Sequence, residues 1–218
     1  MRVYSAIALI KYLDQPVAVE FIRPGLSSVI QEYLKLIDDI DYDELIDSLK
    51  RIVEVFETEI GPHALELCSK LSEAFLRLFE TQQELRKGGV QAHLDIDSET
   101  SLTCDGLMSA IRRILQIMDG QLDPKFYQTL EEILEQAILA TLSDVETIST
   151  EEGLSCLACL LVNQDGVSPR MWNFFNYITQ SILQDKGIFD QFVEQTFVVL
   201  INVMNKDPNT FSTQIEAV

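Results

Sequence analysis

Asp43-Glu44-Leu45-Ile46-Asp47-Ser48-Leu49-Lys50-Arg51-Ile52-Val53-Glu54-Val55-Phe56 has the period of an amphipathic α-helix. Leu45, Ile46, Leu49, Ile52, Val53 and Phe56 follow one another at helical spacing and make one broad apolar face. Asp43, Asp47 and Glu54 fall together on the opposite face, interrupted by Lys50. A helix of this kind, predicted over 42–58, cannot bury its apolar face alone. It needs neighbours.

The rest of the chain repeats the pattern. Met171, Phe174, Phe175, Ile178 and Ile182 are spaced in the same way. Nine helices are predicted, over roughly 2–12, 23–38, 42–58, 62–86, 99–119, 124–142, 145–163, 169–184 and 187–205. Pro24, Pro62, Pro124 and Pro169 fall in first turns, where a missing N–H costs nothing. Asp123 and Ser168 precede two of those prolines as candidate N-caps, and Gly61, Gly120 and Gly166 mark breaks. No stretch predicts a strand.

The helices come in pairs with a period. The second, fourth, sixth and eighth begin at Arg23, Pro62, Pro124 and Pro169, steps of 39, 62 and 45 residues. HEAT repeats, each a pair of antiparallel helices, run at about 40–47 residues. The long step contains Arg86–Ser98, with Gly88-Gly89, His93 and alternating acids. Treating roughly 87–98 as a flexible surface insertion restores the period. The expected fold class is therefore all-α: a HEAT-repeat superhelical solenoid of about four helix pairs over 1–218. The first helix lacks a partner and Asp207–Phe211 reads as the start of another repeat, so a fragment of a longer array is expected.

Composition bounds the function. Among 218 residues, 35 Asp and Glu outweigh 16 Lys and Arg, a formal net charge of −19. Such a surface repels phosphate backbones and attracts basic proteins, which argues against direct nucleic-acid binding. A hydrophobic share of 47% excludes a disordered acidic tail. Apolar stretches such as Phe197–Val203 fall short of the ~20 residues a bilayer requires, so no membrane insertion is expected. Cys68, Cys104, Cys156 and Cys159 show no disulfide framework, in keeping with a reducing compartment.

Two motifs invite chemistry. Cys156-Leu157-Ala158-Cys159 has the spacing of a redox or zinc pair. Neither His63 nor His93 completes a four-ligand zinc set, and the surrounding leucines favour buried thiols. Asp38-Asp39-Ile40-Asp41-Tyr42-Asp43 resembles the aspartate-rich motif of class I terpenoid synthases. Asp144-Val145-Glu146-Thr147 with Glu151 resembles their second motif, with Ser143 where Asn or Asp should lead. Facing carboxylates of this kind could hold Mg²⁺ against a diphosphate. The first cluster sits at an inter-helix turn, however, where acids act as caps, and no cationic clamp accompanies it. Arg112-Arg113 could pair with acids of a neighbouring repeat; an ordinary exposed helix charge is the simpler expectation. No catalytic residue, metal or cofactor is expected.

Several segments carry a family resemblance. Arg2-Val3 followed by Ala6-Ile7-Ala8-Leu9, then Phe21-Ile22-Arg23-Pro24, are similar to successive segments of importin-beta receptors of the importin-seven and importin-eight kind. Pro62 with Ala64, Leu71 and Phe75 follows in order, and then Val167-Ser168-Pro169 with Met171-Trp172. The resemblance implies a middle segment of a nuclear transport receptor that shuttles between cytoplasm and nucleus. Its partners would be basic protein cargo, Phe-Gly nucleoporins, and the GTPase Ran in its GTP form, the last mainly through regions outside this segment. It further implies that acids on an inner surface lined by second helices of each pair contact cargo, here Asp43, Asp47 and Glu54. A generic HEAT or armadillo scaffold is the alternative.

Overall fold

A computed structural model describes residues 2–39, 43–87, 94–120, 123–143 and 149–215. Its helices are α1 (Arg2–Leu9), α2 (Pro16–Ile22), α3 (Leu26–Asp39), α4 (Asp43–Val55), α5 (Ala64–Lys87) and α6 (Leu94–Ile117). These continue with α7 (Pro124–Ser143), α8 (Thr150–Val162), α9 (Pro169–Ile178), α10 (Lys186–Gln191), α11 (Val193–Lys206) and α12 (Pro208–Ile215). Among the described residues there is no strand. The fold is all-α, as the periodicity predicts. The chain divides into two compact units, Met1–Met118 and Asp119–Val218.

Within the first unit, α4 buries the expected face. Leu45, Leu49, Ile52, Val53 and Phe56 are fully buried, and Ile46 nearly so. Partners lie on three sides, α3, α1 and α6. Helices α5 and α6 run antiparallel, since Gly61 before α5 lies beside Met118 after α6. Helices α3 and α5 run parallel. Gln31 Nε2 donates to both carboxylate oxygens of Glu66 at 2.8 and 2.7 Å, and Arg77 Nη2 donates to the Ile37 carbonyl at 3.2 Å. Helices α4 and α6 are parallel too, with Thr103 beside Asp43 and Arg113 beside Glu54.

The second unit repeats the scheme. Helices α7 and α8 are antiparallel: Thr150 Oγ1 donates to the Thr141 carbonyl at 3.1 Å, and Gln164 Nε2 reaches Glu131 at 2.7 Å at the other end. Helices α8 and α11 are parallel. Gln195 Nε2 donates to Glu151 at 2.8 Å, and Lys206 Nζ donates to the carbonyls of Val162, at 3.3 Å, and of Gln164. Parallel partners stand 35 and 40 residues apart for α3 with α5, and 44 for α8 with α11. For α4 with α6 the separation is 60. Parallel helices at intervals of 35–44 residues are the register of stacked helix pairs, and the α4–α6 step of 60 is longer than that register.

Local signals explain the boundaries. Ser168 caps α9, its Oγ accepting from Met171 N at 3.0 Å, and Asp123 Oδ1 accepts from Lys125 N at 2.9 Å. Pro124 and Pro169 are the first residues of α7 and α9, while Pro24 and Pro62 lie in 3₁₀ turns. Three features depart from the sequence expectation. Helix α2 stands where no helix is predicted; it starts on Pro16 and buries none of its residues, so no apolar period marks it. The predicted helix 169–184 ends in a π-helical turn, Thr179–Leu183. The predicted helix 187–205 is broken at Phe192 into α10 and α11. Of the predicted insertion 87–98, residues 88–93 lie outside the described residues; Lys87 ends α5 and Leu94 already begins α6.

Candidate functional site

The three acids singled out on α4 share a side of the helix but not a role. Asp43 Oδ1 accepts a hydrogen bond from Thr103 Oγ1 on α6. Asp47 is exposed and pairs with Lys50 one turn on, at 2.8 Å. Glu54 is half-buried between two arginines, with Arg51 Nη1 at 3.3 Å and Arg113 Nε of α6 at 3.7 Å. Arg51 also holds Asp14 at 2.8 Å, and the hydrogen bonds it donates to Asp14 and Glu54 raise its pKa above the ordinary arginine value. The end residues of the acidic stripe therefore join α4 to α6, and only Asp47 presents its carboxylate mainly to solvent.

Arg113 does not behave as an ordinary exposed helix charge. It pairs across the α4–α6 contact, so the inter-repeat ladder describes it. A corresponding polar connection in the second unit is more buried. Glu131, 1% exposed, accepts from Gln164 Nε2 and from Ser168 Oγ. Arg170 extends the connection to Glu132 at 3.2 Å and Glu135 at 3.0 Å. Gln164 and Ser168 supply the hydrogen bonds that a buried polar side chain such as Glu131 requires. Periodicity places this residue inward, since Tyr127, Leu130, Leu134 and Ile138 at i−4, i−1, i+3 and i+7 are all buried on the same face of α7, but it does not identify the partners. Their signal is the Ser-Pro N-cap 37 residues later, to which Glu131 bonds.

The cysteine reading resolves into packing. All four thiols are free; Cys68, Cys104 and Cys156 are buried, and Cys159 is half-buried on the same helix as Cys156. Burial pushes the Cys68 thiol up to about 12, leaving it neutral and unreactive. Of the two acidic motifs, 40–42 and 144–148 lie outside the described residues. Asp43 is engaged by Thr103, and Glu151 accepts from Gln195.

One groove is large enough to hold side chains of a partner. It lies between α1 and α3, encloses about 620 Å³, and is lined by apolar Ala6, Leu9, Val29 and Leu36. Arg2 and Glu32 sit on its rim 3.8 Å apart. Tyr33 at its floor donates from its hydroxyl to the Ala6 carbonyl at 2.6 Å, and burial raises its pKa to about 12. No helix of the structure is long and apolar enough to cross a membrane, among the described residues.

No family model matches the chain, and no solved structure does. Curated proteins do. An importin beta-like SAD2 homolog of Arabidopsis thaliana is 25% identical over 189 residues, covering 84% of this chain and 17% of the relative. A probable importin-7 homolog of Dictyostelium discoideum is 23% identical over 178 residues, 82% of this chain and 16% of that protein. Importin-8 of Danio rerio is 24% identical over 217 residues, 96% of this chain and 19% of the relative. The chain thus spans less than a fifth of the length of each. The curated relatives that it matches over most of its own length are importin-beta-family members, and the chain is homologous to them.

Proposed function

We propose that the chain is a non-catalytic, protein-binding segment of a nuclear transport receptor, carrying basic protein cargo in Ran-dependent import between cytoplasm and nucleus. The observation that carries this reading is the similarity to importins across 82–96% of the chain. The charge supports it: an acidic helical surface at −19 draws basic proteins by long-range attraction. The stacked pairs supply the mechanism. Each pair touches only its neighbours, so small rotations add up, and a GTPase bound elsewhere on the receptor can alter curvature and loosen cargo. Phe-Gly nucleoporins are the partners that would take such a receptor through the pore.

Asp47, with Asp43 and Glu54 beside it, is the part of the acidic surface we assign to cargo. Asp47 makes the contact, and the other two hold α4 against α6 so that it is presented. The test is a pull-down of the full-length polypeptide on immobilised Ran. Retention on Ran-GTP and not on Ran-GDP is expected, with loss of a pre-bound histone from the complex. Equal retention on the two forms, or none on either, would leave a scaffold subunit as the better description.

A further inference from the structure

The turn between α8 and α9 carries a hydroxyl whose surroundings suit it to modification. Ser168 stands in extended backbone (φ −69°, ψ 163°), and Pro169 follows it as the first residue of α9. Asp165 and Pro169 are exposed, while Gly166, Val167 and Ser168 are half-buried. A Cβ built on Gly166 meets no atom within 4 Å, so the turn is open on that side. A serine in extended backbone directly before proline is the step that proline-directed protein kinases select. The proline has no backbone N–H that would need a partner in the enzyme's cleft.

The Ser168 hydroxyl makes two bonds of opposite sense. Its Oγ accepts from Met171 N at 3.0 Å, capping α9, and it donates to Glu131 Oε1 of α7. A phosphate on Oγ keeps the first bond and destroys the second. Its oxygens accept, so the α9 N–H stays capped, and negative charge is favoured at a helix N-terminus. Ionised, it has no hydrogen to give Glu131, and it sets about two negative charges against a carboxylate that is 1% exposed. Glu132 and Glu135 add to the repulsion from the same helix, and Arg170 now pairs with both, at 3.2 and 3.0 Å. The phosphate would draw Arg170 away from them, since arginine binds phosphate through paired N–H groups.

We propose that Ser168 is a phosphorylation site for a proline-directed protein kinase, and that the phosphate detaches the α8–α9 turn from α7 while leaving α9 capped. In that step Ser168 Oγ forms a bond to the γ-phosphorus of ATP. The bond from that phosphorus to the bridging oxygen breaks, ADP leaves, and the hydroxyl proton passes through the kinase's base to solvent. Helices α7 and α9 pack directly, so the modification would loosen one contact between successive helix pairs of the second unit. Neither step depends on whether the chain carries cargo.

The experiment incubates the full-length polypeptide with Mg²⁺, ATP and each of two proline-directed kinases, one cyclin-dependent and one mitogen-activated. Mass spectrometry then measures phosphate at Ser168. Incorporation by at least one kinase is expected, roughly tenfold above that in Pro169→Ala, which keeps the hydroxyl and its surroundings. No phosphate at Ser168 with either kinase, or equal incorporation in Pro169→Ala, would overturn the assignment. Hydrogen exchange tests the consequence. In the phosphorylated protein, amides of 163–168 should exchange roughly tenfold faster while the Met171 amide keeps its protection. Ser168→Ala loses the cap as well as the Glu131 bond, so there the Met171 amide should quicken too. Unchanged exchange across 163–168 after phosphorylation, or a Met171 amide as exposed as in Ser168→Ala, would overturn the proposed detachment.

Discussion

At the scale of single residues, the closest approach between two helices depends on a hydrogen atom. Gly153 of α8 lies against Thr141 of α7, and a methyl group built at Gly153 would come within 2.8 Å of the Thr141 Cβ. Threonine is branched at Cβ and cannot swing away, and its hydroxyl is tied to the Ile138 carbonyl at 2.8 Å. Gly153→Ala should therefore cost about 1–3 kcal/mol through overpacking, even though alanine is the better helix former. Urea unfolding measures this, and T141A combined with it should recover only part of the loss, because alanine removes the Thr141 hydroxyl and methyl but keeps the Cβ. A neutral or stabilising Gly153→Ala would mean that α7 and α8 pack farther apart than described.

At the scale of the helix, α4 separates what the sequence tells from what it cannot. The apolar face of α4 was legible because burial imposes a period on the residues that make it, and Leu45 to Phe56 are buried as spaced. Polar faces carry no such constraint. Asp43, Asp47 and Glu54 look alike in sequence, yet two of them contact α6 and one does not, because that depends on where a helix some 60 residues away is seated. The same limit hid α2, none of whose residues is fully buried, and the partners of Glu131, which arrive from the α8–α9 turn.

Charge reversal follows this division. Asp47→Lys should change stability by no more than about 0.5 kcal/mol, as surface substitutions usually do. Glu54→Lys sets a third cation between Arg51 and Arg113 and loses two ion pairs. These groups are more than a third exposed, which limits the cost to about 0.5–1 kcal/mol. Asp43→Lys removes the acceptor of Thr103, buried at 3% exposure, and should cost about 1 kcal/mol or more. Chemical denaturation of the three single variants gives the order directly. Equal costs for all three would contradict the placement of the stripe.

At the scale of the whole molecule, the fold class and the helix interval could be read from Pro, Gly and apolar spacing. The parallel pairings at 35–44 residues give that interval its structural meaning. The net charge of −19 is a property of the entire surface and not of one patch. Association with a basic protein should accordingly be fast at low ionic strength and slow as salt shortens the Debye length to about 8–10 Å. Asp47→Lys alone should change that rate modestly.

Transport itself is the claim most directly open to measurement. Fluorescent histone is supplied to permeabilised cells with the full-length polypeptide, Ran and an energy source, and nuclear fluorescence is followed over time. The account predicts nuclear accumulation that requires the polypeptide and stops when Ran is held in its GTP form from the outset, because cargo is then released before entry. Histone that binds the polypeptide yet stays outside the nucleus under every Ran condition would contradict it.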